Sequence, residues 1–173
     1  MTPLMIAAQA GREGAVKALL KFDGGADLAI ASSSVTGFTA VHFAAQEGHV
    51  EVLRILLRQS CPKDGGSKPH TISSIEKSPS PDHNIPPALH LACHGGHAPV
   101  VELLLSSGFA HASILDGNGD TALHSASRLG RLEVALILLA TEHGRSSVHI
   151  LNKRGQLPVD QADGPTKEVL MKV

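Results

Sequence analysis

The chain has 173 residues, of which 42% are hydrophobic and 18% charged, and its 15 basic and 16 acidic side chains give a formal net charge of −1. This composition excludes wholesale disorder, and the balanced charge argues against a nucleic-acid-binding protein or one that binds an anionic membrane. Aromatic residues make up only 2% of the chain, too few for a base-stacking surface. The two cysteines are too few for a disulfide framework, which favours an intracellular location. We expect the cytoplasm, and the nucleus is the alternative. No apolar run is long enough to predict a membrane span.

An internal repeat organises the sequence. Similar segments open at Thr2, Thr39, Pro87 and Thr121, and a weaker one opens at Leu157. The openings lie 37, 48, 34 and 36 residues apart. A period in the mid-thirties indicates a stacked array of small units, and one domain accounts for the whole length.

Each unit predicts a pair of short helices. The opening residue begins the first helix, and Thr39 and Thr121 are good N-cap residues. A glycine nine positions later predicts a turn, and a second helix follows with apolar residues at every third or fourth position. We expect this second helix to end at Gly108 in the third unit and at Gly144 in the fourth. Such short helices are marginal alone in water, so the units must stack to bury their apolar faces.

The openings and turns are similar to those of the ankyrin repeat family. Thr39-Ala40-Val41-His42, Pro87-Ala88-Leu89-His90 and Thr121-Ala122-Leu123-His124 resemble the T-P-L-H opening of that repeat, and Gly48-His49-Val50-Glu51-Val52 resembles its turn and second helix. The resemblance implies an all-α solenoid of helix–turn–helix units joined by hairpin-like finger loops. The predicted units span residues 1–36, 37–60, 82–116 and 117–152, followed by a partial capping unit over 153–173. Because the first unit opens directly after Met1 with no polar cap, we expect the chain to be a piece of a longer array or of a larger protein.

The long second interval predicts an insert over residues 61–81. This segment is rich in Pro, Gly, Ser and Lys and lacks apolar periodicity, which is typical of a surface loop. One interpretation is a tolerated extension without a role, since long loops cost little entropy. The other is a regulated loop, in which Ser78 and Ser80, each followed by proline, are candidate phosphorylation sites.

A cluster of potential metal ligands occupies the third unit, at His90, Cys93, His94 and His97. A structural role is the favoured interpretation because repeat position accounts for most histidines: His42, His90 and His124 share one position, and His49 and His97 share another. The family resemblance implies that the first position ties neighbouring units together by hydrogen bonds. We therefore predict no metal site and no cofactor.

Catalytic motifs are not found in the sequence. It has no nucleophile elbow, no phosphate-binding loop and no dinucleotide fingerprint. Cys93 falls at a small-residue position of a first helix, and we expect it to be a buried thiol. The sequence therefore predicts a protein that is not an enzyme.

The resemblance implies that a partner protein binds the concave face, at finger residues and at the ends of first helices. Carried over position by position, the contact residues are Val35, Thr36, Phe38, Gln46, Glu47, His94, Asn118, Asp120, Arg128, Leu129, Lys153, Arg154 and Gln156. Phe38 is either an aromatic anchor for the partner or an edge-packed side chain that covers the neighbouring finger. We predict a monomeric, non-catalytic scaffold or adaptor module. The alternative is a regulatory segment of a larger enzyme or channel.

Overall fold

A computed structural model describes residues 1–22, 37–60, 87–108 and 110–173. The predicted insert at 61–81 lies outside the described residues. The described chain contains ten α-helices: α1 Pro3–Gln9, α2 Glu13–Phe22, α3 Ala40–Gln46, α4 Val50–Ser60, α5 Ala88–Gly95, α6 Ala98–Ser106, α7 Ala122–Arg128, α8 Leu132–Ala140, α9 Glu142–Ser146 and α10 Gly164–Leu170. Two 3₁₀ turns lie at Ser147–His149 and Pro158–Gln161.

The helices stack in two rows. The inner row consists of α1, α3, α5 and α7, each in contact with the next, and the 3₁₀ turn at Pro158–Gln161 continues it. The outer row consists of α2, α4, α6 and α8 and ends on α10. Each inner helix also contacts the outer helix that follows it. This arrangement confirms the predicted all-helical solenoid of stacked helix pairs.

Small residues hold the inner helices close together. Ala44, Ala45, Ala92, Cys93 and Ala126 are fully buried, because an inner helix has neighbours on both sides and an outer helix behind it. The outer helices fill the wider space behind with leucines. Cys93 is therefore the buried thiol that the sequence predicted, and burial raises the pKa of that thiol. It remains protonated and behaves as a small apolar side chain.

The fourth unit ends differently from the prediction. Its outer helix α8 stops at Ala140, and Thr141 adopts an extended conformation. The Thr141 hydroxyl donates to the Leu138 carbonyl oxygen at 2.7 Å and accepts the Gly144 amide at 3.0 Å, which starts α9. The expectation that Gly144 ends the second helix is therefore wrong. Gly144 lies inside α9, at a place where a Cβ atom would collide with the Leu138 carbonyl.

Predicted burial on α8 can be tested with two leucines of the same helix. Leu138 is 0% exposed between neighbouring units, whereas Leu136 is 48% exposed. We expect Leu138→Ala to lower the free energy of unfolding by about 2–5 kcal/mol, the usual cost of a buried cavity. The control Leu136→Ala should change it by less than about 0.5 kcal/mol, as surface substitutions do. Urea denaturation of both variants measures the difference, and equal losses would contradict this packing of α8.

Candidate functional site

Buried histidines tie the inner helices α5 and α7 to the unit that follows each of them. The Nε2 atom of His90 donates to the Asp120 carbonyl oxygen at 2.8 Å. The Nε2 atom of His124 donates in the same way to the Gln156 carbonyl oxygen at 3.0 Å. Both acceptors belong to the finger of the next unit, so the predicted structural role of these two histidines is confirmed.

The Nδ1 atoms of His42 and His124 are anchored within the unit. The backbone N–H groups of Thr39 and Thr121 donate to Nδ1 of His42 and His124, at 3.2 and 3.1 Å. Nδ1 is therefore an acceptor, and each ring is neutral with its hydrogen on Nε2. Pro87 replaces the threonine in the third unit and has no N–H. Nδ1 of His90 is buried there without a hydrogen-bond partner.

A second line of histidines joins the units along an exposed edge. Nε2 of His49 donates to the Gln9 carbonyl oxygen at 3.0 Å, and Nε2 of His97 donates to the Gln46 carbonyl oxygen at 2.9 Å. Each ring lies directly on the turn glycine of the preceding unit. A Cβ atom on Gly11 would stand 2.6 Å from Cε1 of His49, so only glycine admits this contact.

The potential metal ligands of the third unit do not converge. His90 and Cys93 are buried, and His94 is exposed. His97 is bound to the Gln46 carbonyl. In the part of the chain that the structure describes, no group of three or more His, Cys, Asp or Glu side chains is placed to hold a metal ion.

The last two fingers share a buried polar network. The Asp120 carboxylate is 2% exposed, accepts Nδ2 of Asn152 at 2.7 Å and pairs with Nη1 of Arg128 at 3.1 Å. Oδ1 of Asn152 in turn accepts the backbone N–H groups of Arg154 and Gln156, at 2.9 and 3.0 Å. The carboxylate thus connects the inner helix α7 to the turn of the following finger.

A lysine joins the tips of the same two fingers. The Lys153 backbone N–H donates to the Asn118 carbonyl oxygen at 3.1 Å, and its ammonium donates to the Gly117 carbonyl oxygen at 2.7 Å. Asp116 tightens the fourth finger by accepting the N–H groups of Asn118 and Asp120, at 2.8 and 2.9 Å. Side chains on these tips therefore project from backbone that is held in place before any partner binds.

The predicted contact residues fall into four groups. Exposed side chains belong to Gln46, Glu47, His94, Asn118, Arg128, Leu129, Lys153 and Arg154. Phe38 and Gln156 are half-buried. Asp120 is enclosed by Arg128 and Asn152 and does not reach the surface, so it can influence a partner only through Arg128. Val35, Thr36 and the candidate phosphorylation sites Ser78 and Ser80 lie outside the described residues.

Phe38 packs against the start of its own inner helix. Its ring centroid lies 5.5 Å from that of His42 and 5.5 Å from that of Phe43. Both ring contacts lie within the second unit, and the two interpretations drawn from the sequence, an anchor for a partner or a cover for the neighbouring finger, stay predictions.

The buried network of the last fingers was missed by sequence reasoning, although a signal was present. Asp116 and Asn152 lie 36 residues apart, each three residues before a glycine with positive φ, Gly119 and Gly155. In both fingers the side-chain Oδ1 accepts the N–H groups two and four residues later. An Asp or Asn in this spacing predicts a closed finger turn.

Comparison with known families agrees with this architecture. The family profile described as ankyrin repeats, in three copies, matches residues 1–68 and 72–150. The chain belongs to the ankyrin repeat family. Ankyrin repeats form protein-binding modules, typically without catalytic activity.

The relatives that this ankyrin chain matches are much longer proteins. It is 36% identical over 141 residues to transient receptor potential cation channel subfamily A member 1 of Homo sapiens, which covers 81% of this chain and 11% of the channel. It is 30% identical over 126 residues to the E3 ubiquitin-protein ligase KEG of Arabidopsis thaliana, covering 67% of this chain and 7% of the ligase.

None of the described helices has the length and apolar character needed to cross a membrane.

Buried neutral histidine makes the stability of the array depend on pH. Burial lowers the pKa of His42 from its usual 6.5 to about 4, so the unfolded chain binds a proton at this site at a higher pH than the folded one. The free energy of unfolding should therefore fall between pH 6.5 and pH 4. The His42 contribution to that loss at pH 5 is about 2 kcal/mol. Burial also lowers the pKa of His90, which adds a loss in the same direction.

Urea unfolding at pH 7.5 and pH 5.0 checks this expectation. The variant His42→Gln removes the titrating group and should show a smaller difference between the two pH values than the wild-type chain. An unfolding free energy that stays constant across this range would contradict the neutral, buried state of His42.

Proposed function

We propose that this ankyrin array is a non-catalytic scaffold or adaptor module that binds a partner protein across its inner helices and finger tips. The observation that carries the proposal is the pre-ordered surface of the last two fingers. There Lys153 and Asn118 are joined through the backbone, and Asp120 and Asn152 brace the turn beneath them. Binding to such a surface loses little conformational entropy, which favours affinity.

The charges along the row of predicted contact residues would orient a bound partner. Gln46 and Glu47 lie at the end of α3, in the second unit, and contribute an acidic group. Lys153 and Arg154 lie on the last finger and contribute two cations, while the nearby Asp120 is already paired with Arg128. A polar partner with complementary charges would align one way along the row, because charge complementarity fixes orientation and speeds association.

Internal contacts decide which substitutions can test the proposal. Arg128 and Phe38 support buried groups of the array, so their removal would alter the fold as well as the surface. Glu47, Leu129 and Arg154 have exposed side chains on the proposed face. Glu102 has an exposed side chain on the outer row, where it lines a groove with Ile137 and Thr141.

The binding test compares variants of the two faces. Affinity capture from cell extract, followed by isolation of each captured protein, supplies candidate partners for titration calorimetry. We expect Leu129→Ala and Arg154→Ala each to weaken binding by at least about fivefold, which corresponds to about 1 kcal/mol at a contributing interface position. Glu102→Ala serves as the matched control and should leave the affinity unchanged.

The outcome discriminates between the two faces of the array. All three variants should unfold at the same urea concentration as the wild-type chain, because none of the three side chains is buried. A partner whose affinity falls with Glu102→Ala and not with Leu129→Ala or Arg154→Ala would show that the outer row is the binding face, and the proposal would be wrong.

A second candidate function is a regulatory ankyrin segment within a longer enzyme or channel. The observation that favours it is the small share of each relative that the chain covers, 11% of the channel and 7% of the ligase. In that case the partner of the proposed face would be another part of the same polypeptide. Sequencing the complete transcript and repeating the calorimetry with its remaining domains would distinguish this function from an adaptor for a separate protein.

A further inference from the structure

Two exposed imidazoles meet outside the proposed binding row. His111 lies in the segment that leads into the fourth finger, and His143 lies in α9, 32 residues later. Their ring centroids are 5.7 Å apart, with the ring planes inclined by 51°. Neither the repeat pattern nor the binding of a partner along the inner helices accounts for this pair.

The backbone that carries each ring is held in place. His111 lies between Ala110 and Ala112, which are both buried. His143 lies between the Thr141 cap and Gly144, whose close approach to the Leu138 carbonyl fixes α9 against the end of α8. The fold thus brings the two exposed rings together.

The separation of the rings suits coordination of one metal ion by both. A zinc–imidazole bond is about 2.0–2.1 Å long, which puts the ion about 3.2 Å from each ring centre and two tetrahedrally arranged ring centres about 5.2 Å apart. The observed 5.7 Å exceeds this value by about 0.5 Å. A small rotation about the side-chain bonds of two exposed histidines closes that difference.

We propose that His111 and His143 form a binding site for a divalent transition metal ion. Zn²⁺ is the expected ion, because imidazole is one of its usual ligands and zinc does not change its oxidation state. The histidines supply two ligands, and water completes the coordination. Such an open site binds more weakly than a closed structural zinc site with four protein ligands. The bound ion would connect the segment before the fourth finger to α9 and so stabilise this end of the array.

The test uses Zn²⁺ itself with the full 173-residue chain. We expect Zn²⁺ at ten times its dissociation constant to raise Tm by about 3–5 °C, because a ligand of the folded state stabilises it by mass action. EDTA should reverse the shift. The variants His111→Gln and His143→Gln each leave one ligand and should each abolish it. His94→Gln, a change at another exposed histidine, is the matched control and should retain it.

Calorimetric stoichiometry separates this pair from the other histidines, since the chain has eleven. The number of Zn²⁺ ions bound should fall by one in either variant of the pair and stay constant in His94→Gln. The proposal is overturned if the wild-type chain gains no stability with Zn²⁺. It is equally overturned if His111→Gln and His143→Gln bind as many ions as the wild-type chain.

Discussion

The hydrogen bond from a histidine Nε2 to a backbone carbonyl of a neighbouring unit is the interaction on which this array depends. A single unit of two short helices cannot bury its own apolar face, so its stability must come from its neighbours. His90 and His124 make this bond in the core, and His49 and His97 make it along the exposed edge. The two lines fix both the distance and the rotation between successive units. At His42 and His124 the N–H of the preceding threonine points at Nδ1 and so opposes a proton on that atom.

The polar network of the last two fingers also joins successive units by hydrogen bonds, and it reaches from the core to the surface. Asp120 contributes its backbone carbonyl to His90 and its carboxylate to Asn152 and Arg128. One residue therefore joins the third unit, the fourth unit and the final finger. The ion pair with Arg128 and the hydrogen bond from Asn152 offset the cost of removing the carboxylate from water. The exposed Lys153 and Arg154 thus sit on backbone whose position the core has already set.

The repeated features of the fold could be predicted from the sequence, and the unrepeated ones could not. The helix pairs and the buried Cys93 follow from positions that recur at a fixed period, and the family resemblance implies the roles of His90 and His124. Gly144 occurs where other units end a helix, but a glycine signals either a helix end or a close approach, and the sequence does not distinguish these. Asp120 was predicted to contact a partner because it occupies a repeat position at which the family resemblance implies an exposed contact residue. Its burial depends on Asn152 and Arg128, two residues that come together only when the fingers stack.

The contact between an imidazole and the turn glycine before it affects how such arrays can change in length. The second unit carries both halves of the joint, since Gly48 receives the ring of His97 and His49 places its own ring on Gly11. In the fourth unit Arg131 lies on Gly96 in the same manner, so the joint accepts a different long side chain but still requires glycine opposite it. A unit that is duplicated in tandem therefore brings its own complementary surfaces. The array can be lengthened by copying such a unit without evolving a new interface.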